Sequence, residues 1–313
     1  MKQVMTDKSL YNEYLGNGAD PFKKFIGEEY DILIPLNDLD RLTYAPAYEK
    51  DYRELGILDL TYSVNPTMYV SMCILNKLAK IFDVKFRVLE AWRPFEIQLE
   101  KYNAEQRKNP GSTLFVKPEK NKGIPHVCGG AVDLIMTDSF GNAFTQPKWL
   151  LRKNPKLLEQ IKPLNKDFDN VNNAFFTTHI EPIESADKDL KLSSLNVDIL
   201  RYIVSSIPGL RHINDENWHF QLADKDREYL VSFKNISISE AKTVSQGHLK
   251  RVKKEMTDFA NYVFGVFYDR AFVKGEKHNF IDSEFNKNDV MSLSDLKSNV
   301  FKMMYQQQVI NEK

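Results

Sequence analysis

The chain holds little of what usually ties a protein to a compartment or a charged partner. It has two cysteines, Cys73 and Cys128, too few for a disulfide framework, which fits a reducing compartment. Neither sign of charge is in excess: Lys+Arg and Asp+Glu stand at 43 each, so the balance gives no reason to expect a nucleic-acid or membrane partner. No apolar run approaches the ~18 residues that a transmembrane helix needs. The opening stretch MKQVMTDKSLYNEYLGNGAD has no apolar core and carries acidic residues. It does not read as a secretory signal, and the cytoplasm is the expected location. Internal repeats and low-complexity tracts are also absent.

What remains is an ordinary globular composition. Of 313 residues, 42% are hydrophobic and 27% charged, enough for one large domain or two average ones. Between Tyr30 and Tyr62, short apolar runs broken by Asp, Asn and Pro suggest small strands and loops. Asn65-Pro66 then opens a helix, because Asn caps well and Pro is tolerated at the first helical position. Met68, Met72, Leu75, Leu78, Ala79 and Phe82 give that helix a buried stripe. A strand is expected in KFRVLEAW, a helix over 95–106, a loop over 107–124, and a strand in GGAVDLIMT. A turn at DSFGN, a polar stretch to about 190, a helix over 197–206 and a last strand in WHFQL follow.

Beyond Lys225 the character changes. Ser237 with Glu240 makes a capping-box signature ahead of a helical pattern running through Asp269, and Ser292 with Asp295 starts another. Aromatics at Phe259, Tyr262, Phe264, Phe267 and Tyr268 require this helix to pack on something, either the preceding domain or a second subunit. The basic run from His248 to Lys254 could meet an acidic partner, although such a run is usually the solvated face of a helix. The expected division is a domain over 1–225 and a helical extension over 226–313.

Two segments carry chemistry. His126-Val-Cys-Gly-Gly-Ala-Val-Asp133 has the form H-x-x-G-x-A-x-D, and Glu216-Asn-Trp-His219 has the form E-x-W-H. A catalytic zinc site takes three ligands from His and carboxylate, and a base beside the fourth position. The two segments hold such a set. Strand alternation places Ala131, Asp133 and Ile135 on one face, and the small Ala131 leaves room there. Gly129 and Gly130 permit a tight bend. The plainer reading stays open on spacing alone. A histidine beside a strand is commonly a hydrogen-bonding core or surface residue, Asp133 could be a turn residue, and Trp218 and His219 could simply pack in a sheet.

These segments resemble the zinc D-Ala-D-Ala metallopeptidase family, whose signature is S-x-H-x-x-G-x-A-x-D followed by E-x-x-H. The likeness is closest to the D-alanyl-D-alanine dipeptidase branch of the vancomycin-resistance type. Glu90-Ala-Trp-Arg-Pro94 resembles that branch's strand-ending Y-R-P segment, and ENWHF its E-W-W-H. The match runs from about Tyr30 to Leu222. The resemblance implies an α+β fold with a central antiparallel sheet flanked by helices, and one zinc ion on His126, Asp133 and His219. It further implies Glu216 as general base, Arg93 as the oxyanion-stabilising residue, and a D-Ala-D-Ala-like dipeptide as substrate. Two positions depart from the pattern: Ile124 replaces the family's serine, and Trp92 its tyrosine.

A carboxypeptidase or endolysin-like peptidase acting on peptidoglycan stems is the nearest alternative, and a non-catalytic zinc-binding module of the same fold is a second. Cys128 reads as a small buried side chain and Cys73 as core. Asp138 and Asp215 read as turn carboxylates, and His179 as surface or structural.

Overall fold

The computed structural model describes residues 27–143, 200, 203–204, 207, 210–213, 216–222 and 232–268, without the side chains of 212–213, 216–217 and 266–268. His179, Asp215, Ser292 and Asp295 lie outside the described residues, as does the expected domain boundary near 225.

The helix expected at Asn65-Pro66 forms over Pro66–Phe82. It follows β1 (Ile34–Pro35), β2 (Leu42–Tyr44), the short helices α1 (Glu49–Glu54) and α2 (Leu58–Thr61), and β3 (Ser63–Val64), and is named α3. Asn65 Oδ1 accepts from the Met68 amide at 2.8 Å, while Pro66 spends no donor in the first turn. At the far end Asp83 turns left-handed at φ 52°, and its amide bonds back into the last turn. The six stripe residues are all buried, but so are Tyr69, Val70 and Ile74 on other faces. The helix is therefore covered on more than one side. One covering layer is the sheet. The other is a helix from beyond 225.

That sheet has five strands in the order β2-β4-β5-β7-β6, with β4 at Lys85–Glu90, β5 at Ala131–Thr137, β6 at Leu210–Ile213 and β7 at Glu216–Leu222. A further helix, α4 (Phe95–Lys108), follows β4. The architecture is α+β, but the sheet is mixed, which corrects the expectation of an antiparallel one. β2 runs parallel to β4, while the β4–β5, β5–β7 and β6–β7 pairs are antiparallel. The cause is the connection. Between β2 and β4 the chain makes a long crossover through α1, α2, β3 and α3, which returns the next strand in the same direction.

Alternation sorts the two faces. Phe86, Val88, Val132, Leu134, Met136, Phe220 and Leu222 join α3 in the main core. Val132 pairs with Phe220 on that side, so Asp133 with His219 and Ala131 with Gln221 fall on the other. Strand β4 departs from strict alternation. Its register slips between Val88 and Glu90, so Glu90 stands opposite Asp133. This bulge moves Glu90 off the core face, a use bulges commonly have beside functional sites.

Leu200, Ile203, Val204 and Ile207 are also buried in the main core. The capping box at Ser237 and Glu240 forms as expected and opens α5 (Ile238–Thr243). The helical pattern that follows is interrupted. Val244 is extended, and Ser245 starts a new cap, its Oγ accepting from the His248 amide at 3.3 Å, before α6 (Gln246–Tyr268). Helix α6 packs against α3, setting Val252, Met256, Ala260 and Val263 into the same core as the sheet. Phe259, Tyr262 and Phe264 pack against that core from its margin. Among the described residues, no helix is long and apolar enough to cross a membrane.

Candidate metal centre

His126 sits in the turn that leads into β5, and local chemistry explains its placement. The amides of Cys128, Gly129 and Gly130 close back on the carbonyls of Ile124, His126 and Pro125. Gly129 takes φ 68°, and a Cβ there would lie 2.7 Å from the Asn65 backbone nitrogen and 2.9 Å from Leu33. Only glycine permits that approach. Asn65 in turn donates its amide to the Gly129 carbonyl and its side chain to the Cys128 carbonyl. The residue that caps α3 thus also anchors the turn.

From the other side the turn is tied to residues beyond 225. Asn235 accepts from the Ile124 amide at 2.9 Å and donates to the carbonyls of Glu119 and Lys122 at 2.6 and 2.8 Å. The Ile236 amide donates to Val127. Ile124 is buried, as is Trp92, which packs with Leu33 and Ile236.

The three residues proposed as ligands from the sequence come together. His126 and His219 are buried, and Asp133 is 14% exposed at its side chain. His126 Nε2 lies 3.2 Å from His219 Nδ1, His219 Nδ1 lies 3.1 Å from Asp133 Oδ1, and His126 Nε2 lies 3.3 Å from the same oxygen. These atoms form a nearly equilateral triangle. Ligands held about 2.0–2.1 Å from zinc at tetrahedral angles stand roughly 3.3–3.4 Å apart. The triangle has the size of one tetrahedral face.

The far side of each ring fits the same use. His126 Nδ1 lies 2.8 Å from the Ala91 carbonyl, which can only accept. The ring therefore donates from Nδ1 and keeps a lone pair on Nε2, facing the triangle. His219 Nε2 lies 3.1 Å from the Gln221 side-chain amide, which can accept from the ring or donate to it, and Nδ1 faces the triangle. Two imidazole nitrogens and one carboxylate oxygen suit zinc or a related transition metal; calcium and magnesium favour all-oxygen sets. This buried group could hold a metal ion.

Electrostatics couple the three. Burial by itself would raise the Asp133 carboxyl; when His126 is protonated, its charge and hydrogen bond, with the hydrogen bond from His219, outweigh burial and hold the group well below the usual carboxylate range, whereas the inward lone pair belongs to the neutral ring. For His126, burial pulls downward, and Asp133 with Glu90 behind it lifts the ring above its ordinary value.

Arg93 adjoins this group through the backbone, its amide donating to the His126 carbonyl at 3.1 Å. Its Nε donates to Glu90 Oε1 at 2.7 Å, its Nη2 binds Glu90 Oε2, and Nη1 donates to Gln98 at 2.8 Å. Tyr52 gives Glu90 a further hydrogen bond at 2.9 Å. The rings of Tyr48 and Phe115 flank the guanidinium at 5.7 and 5.8 Å. Burial opposes the Arg93 charge, but Glu90 raises its pKa beyond the usual value. A guanidinium has five N–H groups, and these bonds engage three.

Glu216 opens β7, with its backbone paired to Ile213. Its side chain is outside the described residues. Asp138 is a turn residue, its carboxylate accepting from the Asn142 amide and side chain. Cys128 and Cys73 are buried, and burial pushes both thiols up to about 12. The sequence reading passed over Glu90 and Gln221. Gln221 carried one usable signal: two residues beyond a strand histidine, it shares that histidine's face. Compared with models of protein families and with curated proteins, the chain finds no match.

Proposed function

We propose that the chain is a zinc-dependent peptidase that hydrolyses D-Ala-D-Ala or a close dipeptide. One observation carries the reading: the metal-binding atoms of His126, Asp133 and His219 form a triangle of tetrahedral size, and the Ala91 carbonyl on the far side of His126 turns that ring's Nε2 lone pair inward. The substrate class comes from the motif resemblance.

When bound, zinc supplies Lewis-acid polarisation of a scissile carbonyl and acidifies water towards a pKa of ~7. Glu216 has the role of taking the attacking water's proton and delivering it to the leaving amine. Arg93 is held rigid by Glu90 and Gln98, and a donor fixed in this way can meet charge developing on the carbonyl oxygen without rearranging. Loss of one such donor typically lowers turnover ~10²–10³-fold.

The test is release of free D-alanine from D-Ala-D-Ala by the purified, zinc-loaded chain, with a chelator and Glu216→Ala as controls. Release that disappears in both controls supports the dipeptidase. A chain that holds one zinc and releases nothing rules the dipeptidase out, and peptidoglycan stem peptides become the next substrates.

A further inference from the structure

Lys101 is a largely buried charge that the reaction proposed for this site does not use. Helix α4 sets it three residues after Gln98, on the same face, and its side chain is only 18% exposed. Gln98 accepts from Arg93 Nη1 at 2.8 Å, and the Arg93 amide donates to the His126 carbonyl. These contacts run from the metal centre to the helix face that carries Lys101. Tyr48 joins the two cations: Lys101 Nζ lies 3.5 Å from the centre of its ring and Arg93 Cζ 5.7 Å.

The ammonium is poorly served in this place. Among the described residues its ion partner is Asp51, 3.9 Å away with a side chain 50% exposed, which is beyond hydrogen-bond distance. The ring face of Tyr48 attracts the charge but offers no oxygen to the three ammonium donors. Glu90 is already committed to Arg93 and Tyr52. Burial and then the Arg93 charge lower the Lys101 pKa, and Asp51 offsets them in part. Arg93 likewise uses only three of its five N–H groups on Glu90 and Gln98. Two neighbouring cations with spare donors suit one further anion, and a carboxylate has two oxygens to give them.

We propose that Lys101 is a specificity-determining residue that binds the free C-terminal carboxylate of the substrate beside Arg93. The proposal rests on the peptidase reading and narrows its substrate class to peptides cut at their last bond, as D-Ala-D-Ala is. The test compares D-Ala-D-Ala with its C-terminal amide, which lacks that one charge, on the full-length, zinc-loaded chain. By kcat/KM, wild type should prefer the dipeptide roughly 10–100-fold, mainly through KM. Lys101→Met should erase the preference by lowering the dipeptide's value alone, and Lys101→Arg, which keeps a cation, should retain part of it. A preference unchanged in Lys101→Met overturns the proposal. So does an equal loss for both substrates, since that marks Lys101 as a packing residue against Tyr48.

A second readout needs no turnover. In the chain labelled with ¹³C-lysine, the Lys101 Cε signal is identified by its absence in Lys101→Met. It should shift when D-Ala-D-Ala is added and stay in place with the amide. A Lys101 signal that the dipeptide does not move overturns the proposal, whether or not the dipeptide is hydrolysed. A shift with the dipeptide alone, in a chain that releases no D-alanine, would support the carboxylate site and refute the dipeptidase instead.

Discussion

Asp133 and His219 stand directly opposite each other in the β5–β7 ladder, with Oδ1 and Nδ1 3.1 Å apart. Antiparallel pairing alone therefore brings together two of the three donors, while the third, His126, arrives on a turn. The turn is the more vulnerable part.

Gly129→Ala should expose that vulnerability. A Cβ would meet the Asn65 nitrogen at 2.7 Å at a left-handed φ of 68°. The strain is expected to lower stability by about 1–3 kcal/mol and, under the zinc site proposed above, to weaken metal retention by displacing His126. Denaturant unfolding together with metal analysis checks both. Unchanged stability and stoichiometry would show that the turn can relax at no cost.

The Glu90–Arg93 pair is buried, with side chains 2% and 11% exposed. Glu90→Leu strands the guanidinium charge and removes the acceptor of Tyr52, and should destabilise by about 3–5 kcal/mol. The double variant Glu90→Leu with Arg93→Met should recover part of that loss, because no charge is left unpaired. Urea unfolding of the two variants makes the comparison, and a double variant less stable than the single one contradicts it.

A pH effect belongs to Glu240. Partial burial works against its carboxylate, but hydrogen bonds from Lys234 and from Ser237 lower its pKa from 4.5 to about 2. A group depressed in the folded chain stabilises it above the unfolded value and loses that contribution as pH falls through the folded one. The stability difference between wild type and Glu240→Gln should be constant above pH 4.5 and shrink between there and pH 2. A difference that is flat across that window would remove the carboxylate's part in the cap.

With both thiols buried and pushed up to about 12, neither Cys73 nor Cys128 should react with a thiol reagent in the native chain at neutral pH. Both should react once the chain is unfolded. Rapid native labelling of Cys128 would mean that the turn between His126 and Asp133 opens readily.

What is legible in the sequence divides along a physical line. The cap at Asn65, the strand at Ala131–Thr137 and the capping box at Ser237 are written in neighbouring residues, and they form where those residues stand. The grouping of His126, Asp133 and His219 is legible through two short motifs. The parallel edge strand β2, the bulge that turns Glu90 towards Asp133, and the Asn235 braces are not. Each depends on a partner far along the chain, and no local periodicity encodes it. The break at Val244 lies between the two cases: Ser245 carries the cap signal, but an apolar pattern that continues across it hides the stop.

The braces from Asn235 and Ile236 to the His126 turn also set an order of events during synthesis. The turn leaves the ribosome more than a hundred residues before its partners do. Until they follow, the Ile124 amide and the Val127 carbonyl lack the bonds that hold them in the finished protein. The nascent chain can lay down α3 and the β4–β5 pair early, but it can complete the His126 turn only once Asn235 and Ile236 have emerged.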